Sequence, residues 1–281
     1  MNWLTIARKE FSDASRSLML WIVSALFILF ALVVMGAYII FQEEFTPPDA
    51  EPGTAVDVFL FVLSPVGLFA PIIALLVGYK AIVGERESGS LKVLLSLPYT
   101  RLDVMIGKFI GRSMVMAVPL LLAFIILGGL ILAFVGTFSV LDYVVIIILS
   151  LLFAAVFVSI AIAISSMTKS STIAGAAMFG VYLVFLVFWD LFELALLYLI
   201  EGTVFPPDPI PHWFLFVDML APQGAYSNAV QGFLPGVDIY GGMFPENPPL
   251  YLSEWAALLV LIAWFAIPFF LAYVRFRGVD L

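Results

Sequence analysis

The chain has no cysteine, a single histidine, and charge on only 11% of its residues. Without cysteine there is no disulfide framework, no thiolate metal site and no iron–sulfur cluster. His212, set between Pro211 and Trp213, cannot build a haem or zinc site alone and reads as an ordinary interfacial residue. The alternating pattern of membrane-barrel strands is missing too. A cleavable signal peptide is not evident: residues 1–17 are polar, and the first hydrophobic run has full spanning length with no small-residue cleavage site after it, so it reads as an anchor. Ionisable residues are absent from the middle of the apolar runs. Ion-coupled transporters and intramembrane proteases need such groups at depth, so neither class is favoured.

What is present is apolar side chain, at 64% hydrophobic residues and a mean hydropathy of +1.16. Runs of this kind have lipid as their natural solvent, and a helix needs about 20 apolar residues to cross the hydrocarbon core. Six stretches qualify, at about 18–41, 58–79, 113–135, 143–165, 172–189 and 255–273. The expected fold class is therefore all-α: a polytopic membrane protein with one transmembrane domain over 1–281.

Positive charge is missing from every second loop. Arg8, Lys9 and Arg16 precede the first span, six Lys and Arg lie between Lys80 and Arg112, Lys169 follows the fourth span, and Arg275 and Arg277 follow the sixth. The opposite loops carry none of the twelve and are acidic instead, with Glu43, Glu44, Asp49, Glu51 and Asp57 in the first and six acids from Glu201 to Glu254 in the last. By the positive-inside rule both termini are cytoplasmic and the protein belongs in the cell membrane. The acidic outer loops read as surface adaptation before cation binding.

Residues 1–17 place Trp3, Ile6, Ala7, Phe11, Ala14 and Leu18 on one helical face and Arg8, Lys9, Ser12, Asp13 and Arg16 on the other, an amphipathic helix in the interface. Pro65, Gly67 and Pro71 predict a bend in the second span. Gly175, Ala176, Ala177 and Gly180 in the fifth predict close helix approach. Asp190 and Glu193 fall near the outer headgroups, where the helix continues outward; a coupling-ion site is the secondary reading. Residues 218–233 read as one short helix opening near Pro222. Ser165, Ser166 and Thr168 have no base nearby in sequence and read as structural. Met105, Met114, Met116 and Met167 carry thioethers of the kind Cu(I) accepts, but no Cys or His joins them and Met is common core filler.

Half of the positive charge sits in one loop, whose core is "GERESGSLKVLLSLPYTRLDVMIGKFIGR", Gly84 to Arg112. Ser88 and Ser90 can cap a short helix on which Leu91, Leu94 and Leu95 form an apolar stripe. Pro98 ends it. Thr100 with Asp103 is a capping box for a new helix leading into the third span. Gly89 frees the backbone, and Glu85, Arg86 and Glu87 show both signs of charge. A lipid-binding patch would be mainly Lys and Arg. Mixed charge with outward leucines fits a protein-docking surface, the plain alternative being a basic loop that only sets topology.

This loop resembles the signature of ATP-binding-cassette (ABC) transporter permeases of the type-2 exporter family, E-R-E-x-G-[ST]-L followed by L-L-x-x-P-x-x-R and G-K. Glu85, Arg86, Glu87, Gly89, Ser90, Leu91, Leu94, Leu95, Pro98, Arg101, Gly107 and Lys108 fill every position. "IARKEFSD" resembles the family's interfacial elbow helix. "LAPQGAYSNAV" is similar to the segment before the last span in the branch that includes the nitrous-oxide-reductase maturation permease. The resemblance implies that 84–101, within a cytoplasmic loop at 80–112, is a coupling helix, with the residues from Glu85 to Arg101 just named meeting a separate ABC ATP-binding subunit. It further implies a second permease copy, identical or not, an external loop at 201–254, and export. ATP and Mg would sit on the partner, with no cofactor, metal, catalytic constellation or nucleic-acid role in this chain. A phosphate-binding loop is lacking: in "MIGKFIGR" Phe109 follows Lys108 where Ser or Thr is required. The rival readings are a membrane assembly or interaction protein without transport, and a secondary transporter.

Overall fold

A computed structural model describes residues 3–45, 55–234, 236–245 and 247–278, and every regular element among them is helical. The amphipathic α1 (Trp3–Ser15) leads into α2 (Leu18–Phe45). Then come α3 (Ala55–Gly78), the short α4 (Val83–Glu87) and α5 (Ser90–Ser96), and the long α6 (Arg101–Phe134) and α7 (Val140–Met167). α8 (Ser171–Leu183) passes through a π-helical turn (Val184–Phe188) into α9 (Trp189–Glu201). Beyond it lie α10 (His212–Leu220), α11 (Pro222–Phe233), a 3-10 turn and α12 (Glu254–Arg277). Six helical stretches are long and apolar enough to cross a membrane, one for each expected span.

The boundaries follow local chemistry. Thr100 and Asp103 close a reciprocal capping box at the start of α6, while Ser139, Ser170 and Ser253 cap α7, α8 and α12 through their hydroxyls. α7 is the centre of the bundle, with 67% of its most apolar window buried, against 11% for the α8–α9 stretch and 17% for α12. It packs on α3 and α12, while α6 carries α1 and α2. α10 and α11 form a layer at the acidic end, on α7 and α12. Asp218 to Leu220 belong to α10, so α11 begins at Pro222 as expected but the 218–233 segment is two helices.

α3 is one helix with Pro65 and Pro71 inside it. One packing expectation changes. The small residues of α8 are largely unused within the chain: Gly175 faces the Tyr79 ring at 3.6 Å from a would-be Cβ, but Gly180 has open space and Ala176 is exposed. A close approach of two helices is made instead by Gly107 and Gly111, four apart on α6, against α1. A Cβ at Gly107 would lie 2.6 Å from that of Ile6, and one at Gly111 would lie 2.5 Å from that of Glu10. The apolar face of α1 thus covers α6, burying Ile6 and Ala7, while Arg8, Lys9, Asp13 and Arg16 stay exposed.

This contact gives a test. Gly111→Val must push α1 off α6, because the Ala7 carbonyl at 3.0 Å is backbone and cannot swing aside. Overpacking of this kind costs about 1–3 kcal/mol, read as a lower melting temperature of the detergent-solubilised protein. Gly36→Ala, with nothing within 4 Å, is the control and should melt with the parent. Equal melting of both variants would mean that α1 is not seated on α6.

Candidate functional site

The α4–α5 segment is held by its charged and polar residues, each tied to a different helix. The backbone N–H groups of Ile82 and Val83 donate to Ser165 Oγ at 2.9 and 3.0 Å, anchoring the start of α4 to the end of α7. Ser165 is structural, as expected. Arg86 Nη1 donates to the Thr168 carbonyl at 3.2 Å, just past α7. The Glu87 carboxylate accepts the Ser171 N–H at 2.7 Å and the Ser171 hydroxyl, in the first turn of α8.

Glu85 turns inward. Its Oε1 lies 2.7 Å from Lys108 Nζ, and the same ammonium lies 2.8 Å from Glu10 Oε1. Glu10 Oε2 in turn meets Arg112 Nη2 at 2.8 Å, and Arg112 Nη1 donates to the Val77 carbonyl at 3.2 Å. Lys9 adds a longer contact to Glu85 at 3.8 Å. The Lys108 side chain has no exposure and Glu10 only 5%. Burial opposes ionisation of Glu10, yet the Lys108 and Arg112 cations outweigh it and hold the carboxyl below the ordinary range. α1, α4 and α6 therefore meet in one buried ion network.

Gly89, at φ 76°, supplies the left-handed turn between α4 and α5. Neither serine caps α5. The Ser88 and Ser90 hydroxyls lie 2.9 Å apart and 3.3 and 3.4 Å from the Glu85 carbonyl, so that one donates to the other and the second to the carbonyl, tying α5 back to α4. The leucine stripe faces in, not out: Leu91 is 1% exposed within the core and Leu94 is half-buried against it. The side chain of Leu95 lies outside the described residues. Val93, 67% exposed, and Leu97, 47% exposed, form the outward apolar pair at i, i+4 spacing. Pro98 is exposed just after α5. Arg101 donates from Nη1 to the Phe276 carbonyl at 2.6 Å and lies over the Phe276 ring, joining α6 to the end of α12.

The structure thus brings the sequence-selected residues into one segment but turns most of them toward the protein. Sequence reasoning missed Glu10, Val93 and Leu97. Glu10 was findable, because it lies i+4 from Ile6 and i+3 from Ala7 and so shares their apolar face.

At the acidic end, Asp218 Oδ2 accepts from Asn228 Nδ2 and from the Tyr240 hydroxyl, each at 3.1 Å. Asn228 also reaches Tyr240 at 2.9 Å, and the Ile239 N–H donates to Gln231 Oε1 at 2.7 Å, so residues 236–245 are knitted onto α10 and α11. Gly224 is required here, since any Cβ would run into the Asp218 backbone. Glu193 is buried and Asp190 is exposed on α9. Among the described residues no three His, Cys, Asp or Glu are grouped to hold a metal ion. Met105 and Met116 are buried core side chains, whereas Met114 and Met167 are exposed, so the four do not share one environment.

Residues 4–281 match the model of a protein family described as ABC-2 family transporter protein. The chain is 32% identical to the probable ABC transporter permease protein NosY of Stutzerimonas stutzeri, over 97% of this chain and 96% of that protein. It is 31% identical to the probable ABC transporter permease protein NosY of Pseudomonas aeruginosa, over 97% of each.

The acidic end should respond to pH. Burial pushes the Asp218 carboxyl up to about 6, against the hydrogen bonds from Tyr240 and Asn228 and with the charge of Asp190 adding to the rise. A carboxyl raised above its unfolded value stabilises the fold below that value, and the contribution is lost as pH climbs through about 6. Asp218→Asn should remove a slope worth at most about 3 kcal/mol between pH 4 and pH 7. The measurement is the melting temperature of parent and variant at both pH values. Parallel pH dependence in the two would show that Asp218 does not titrate in this window.

Proposed function

The chain belongs to the ABC-2 transporter family and is a transmembrane permease subunit of an ABC transporter, and we propose that α5 is the point where a separate ATP-binding subunit drives it. One observation carries this reading. The α5 segment offers an exposed apolar pair, Val93 on the helix and Leu97 just past its end, beside neighbours anchored to α6, α7 and α8 through Glu85, Arg86 and Glu87. Force applied at α5 is thereby shared among helices that reach across the bundle. Leu91 roots α5 in the core, and Gly89, Ser90, Leu94, Leu95 and Pro98 shape the segment around the contact. Arg101 passes the displacement to α12.

ATP and Mg2+ are held by the partner, and hydrolysis occurs there. The basic side, carrying all twelve Lys and Arg, is cytoplasmic, in the plasma membrane. A second permease copy completes the pathway; the sparse burial of α8–α9 and the outward Ala176 and Gly180 support a partner helix at that face. Transport runs outward, as in the exporters the loop resembles.

Docking is tested by Val93→Asp with Leu97→Asp. Both side chains are exposed, so the double variant should fold and insert while pull-down of the ATP-binding subunit weakens by about 30-fold or more, the equivalent of losing one hot spot of about 2 kcal/mol. Leu91→Ala should instead lower stability by about 2–4 kcal/mol as a core truncation. Full retention of the ATPase by the double variant would remove α5 as its dock.

Orientation is tested separately, and the absence of native cysteine keeps the background clean. A cysteine at Ser90 or Lys169 should resist a membrane-impermeant thiol reagent added to intact cells, and one at Asp238 should react. The opposite pattern would reverse the topology.

A further inference from the structure

At the acidic end, α10 and the 3-10 turn Leu250–Leu252 form a pocket of about 410 Å3 lined by three aromatic side chains, Trp213, Phe216 and Tyr251. Its construction is local. Trp213 and Phe216 stand three apart on α10 and so share a face, while Leu215 between them is buried and roots the helix. Tyr251 is held opposite by its buried neighbour Leu252, in the turn that leads to the Ser253 cap of α12. The Phe216 and Tyr251 rings stand nearly perpendicular, at 89° with centroids 5.7 Å apart, and make a corner. All three side chains keep accessible surface: Phe216 is 39% and Tyr251 48% exposed, and Trp213 is half-buried.

Electrostatics select the ligand. Trp213 donates its indole N–H to Glu201 Oε1 at 3.1 Å, which fixes the ring and brings a carboxylate to its edge. The chain from Ser170 to Val274 contains no Lys or Arg and carries six acids from Glu201 to Glu254, so this surface favours a cation. The pocket offers ring faces, which attract one, but little oxygen. The indole N–H is spent on Glu201, and the Tyr251 hydroxyl is the one other polar group of the lining side chains. A metal ion or a primary ammonium would lose hydration there without replacement, whereas a quaternary ammonium has no N–H to satisfy. A phosphate or carboxylate on the same ligand would find no cation nearby, so the ligand carries positive charge alone.

We propose that this pocket binds a soluble organic cation with a trimethylammonium group, of the choline class. The methyl groups rest against the three rings, and the Glu201 carboxylate answers the charge from the edge of the indole. Interfacial aromatics as such need no ligand; these three differ in sharing one volume with a carboxylate tied to its wall. The site depends neither on the assignment of α5 as the ATPase dock nor on the direction of transport.

The experiment is equilibrium dialysis of radiolabelled choline against the full chain in maltoside micelles. Saturable binding is expected. Two competitors, ethanolamine and the neutral isostere of choline in which tert-butyl replaces trimethylammonium, should each be weaker than choline by about tenfold or more. Tyr251→Leu should weaken choline by about fivefold, while Tyr251→Phe, which keeps the ring, should bind as the parent does. Both variants should melt with the parent, because the side chain is half exposed. Glu201→Gln keeps an acceptor for the indole N–H but removes the charge, and should weaken choline by about threefold. Equal competition by the neutral isostere would reduce the pocket to a plain apolar groove and overturn the assignment. So would an absence of saturable binding, or a loss in Tyr251→Phe as deep as in Tyr251→Leu. Phosphatidylcholine added to the micelles should displace choline no better than phosphatidylethanolamine does. Selective displacement would give the site to a lipid head and overturn the soluble ligand.

Discussion

A lysine ammonium with no solvent exposure must have its charge answered on the spot, and at Lys108 the two answers come from different parts of the chain. Glu10 arrives from α1 and Glu85 from α4, both within 2.8 Å. Ions taken out of water cost several kcal/mol each, which close partners recover only with good geometry, and stranding one member costs about 3–5 kcal/mol. The positions of α1, α4 and α6 are therefore not independent. Gly107 and Gly111 make the arrangement possible, because only a backbone without Cβ lets α1 come close enough for Glu10 to reach over to Lys108 and Arg112. The ion network and the glycine pair are one device: the glycines set the distance and the charges set the register.

The same network divides the loop into two mechanical parts. α4 is rigid, with its backbone start on Ser165 and its three charged residues spent on α6, α7 and α8. α5 hangs from it by the Gly89 turn, two serine hydroxyls and the buried Leu91, and shows its remaining apolar surface outward. The charged residues of α4 are spent on contacts within the chain. That reverses the emphasis drawn from its composition, where mixed charge and leucines both suggested an outer surface.

What was legible in the sequence follows from range. The six spans, the Thr100–Asp103 capping box, the αL role of Gly89 and the opening of α11 at Pro222 depend on residues within a few positions of each other, and all are in the structure. The facing of α5 depends on a distant neighbour. Helical periodicity puts Leu91 and Leu94 on one side and Val93 on another, but both sides are apolar, and only the bundle decides which is covered. Glu10 was overlooked because its partners are about a hundred residues away in sequence. The small residues of α8 and the glycines of α6 look alike as motifs, and only the second set meets a helix of its own chain.

The two ends of the molecule handle buried carboxylates by opposite means, and the sequence asymmetry that separates basic from acidic loops is the reason. At the basic end, Lys108 and Arg112 are at hand, so Glu10 stays ionised despite burial. At the acidic end the loops contain no Lys or Arg, so Asp218 can draw only on the neutral donors Tyr240 and Asn228, and burial prevails. The basic end therefore keeps its charge through the mildly acidic range, whereas the acidic end holds a carboxyl close to neutrality. The asymmetry between basic and acidic loops thus leaves one layer locked by ions and the other governed by a proton.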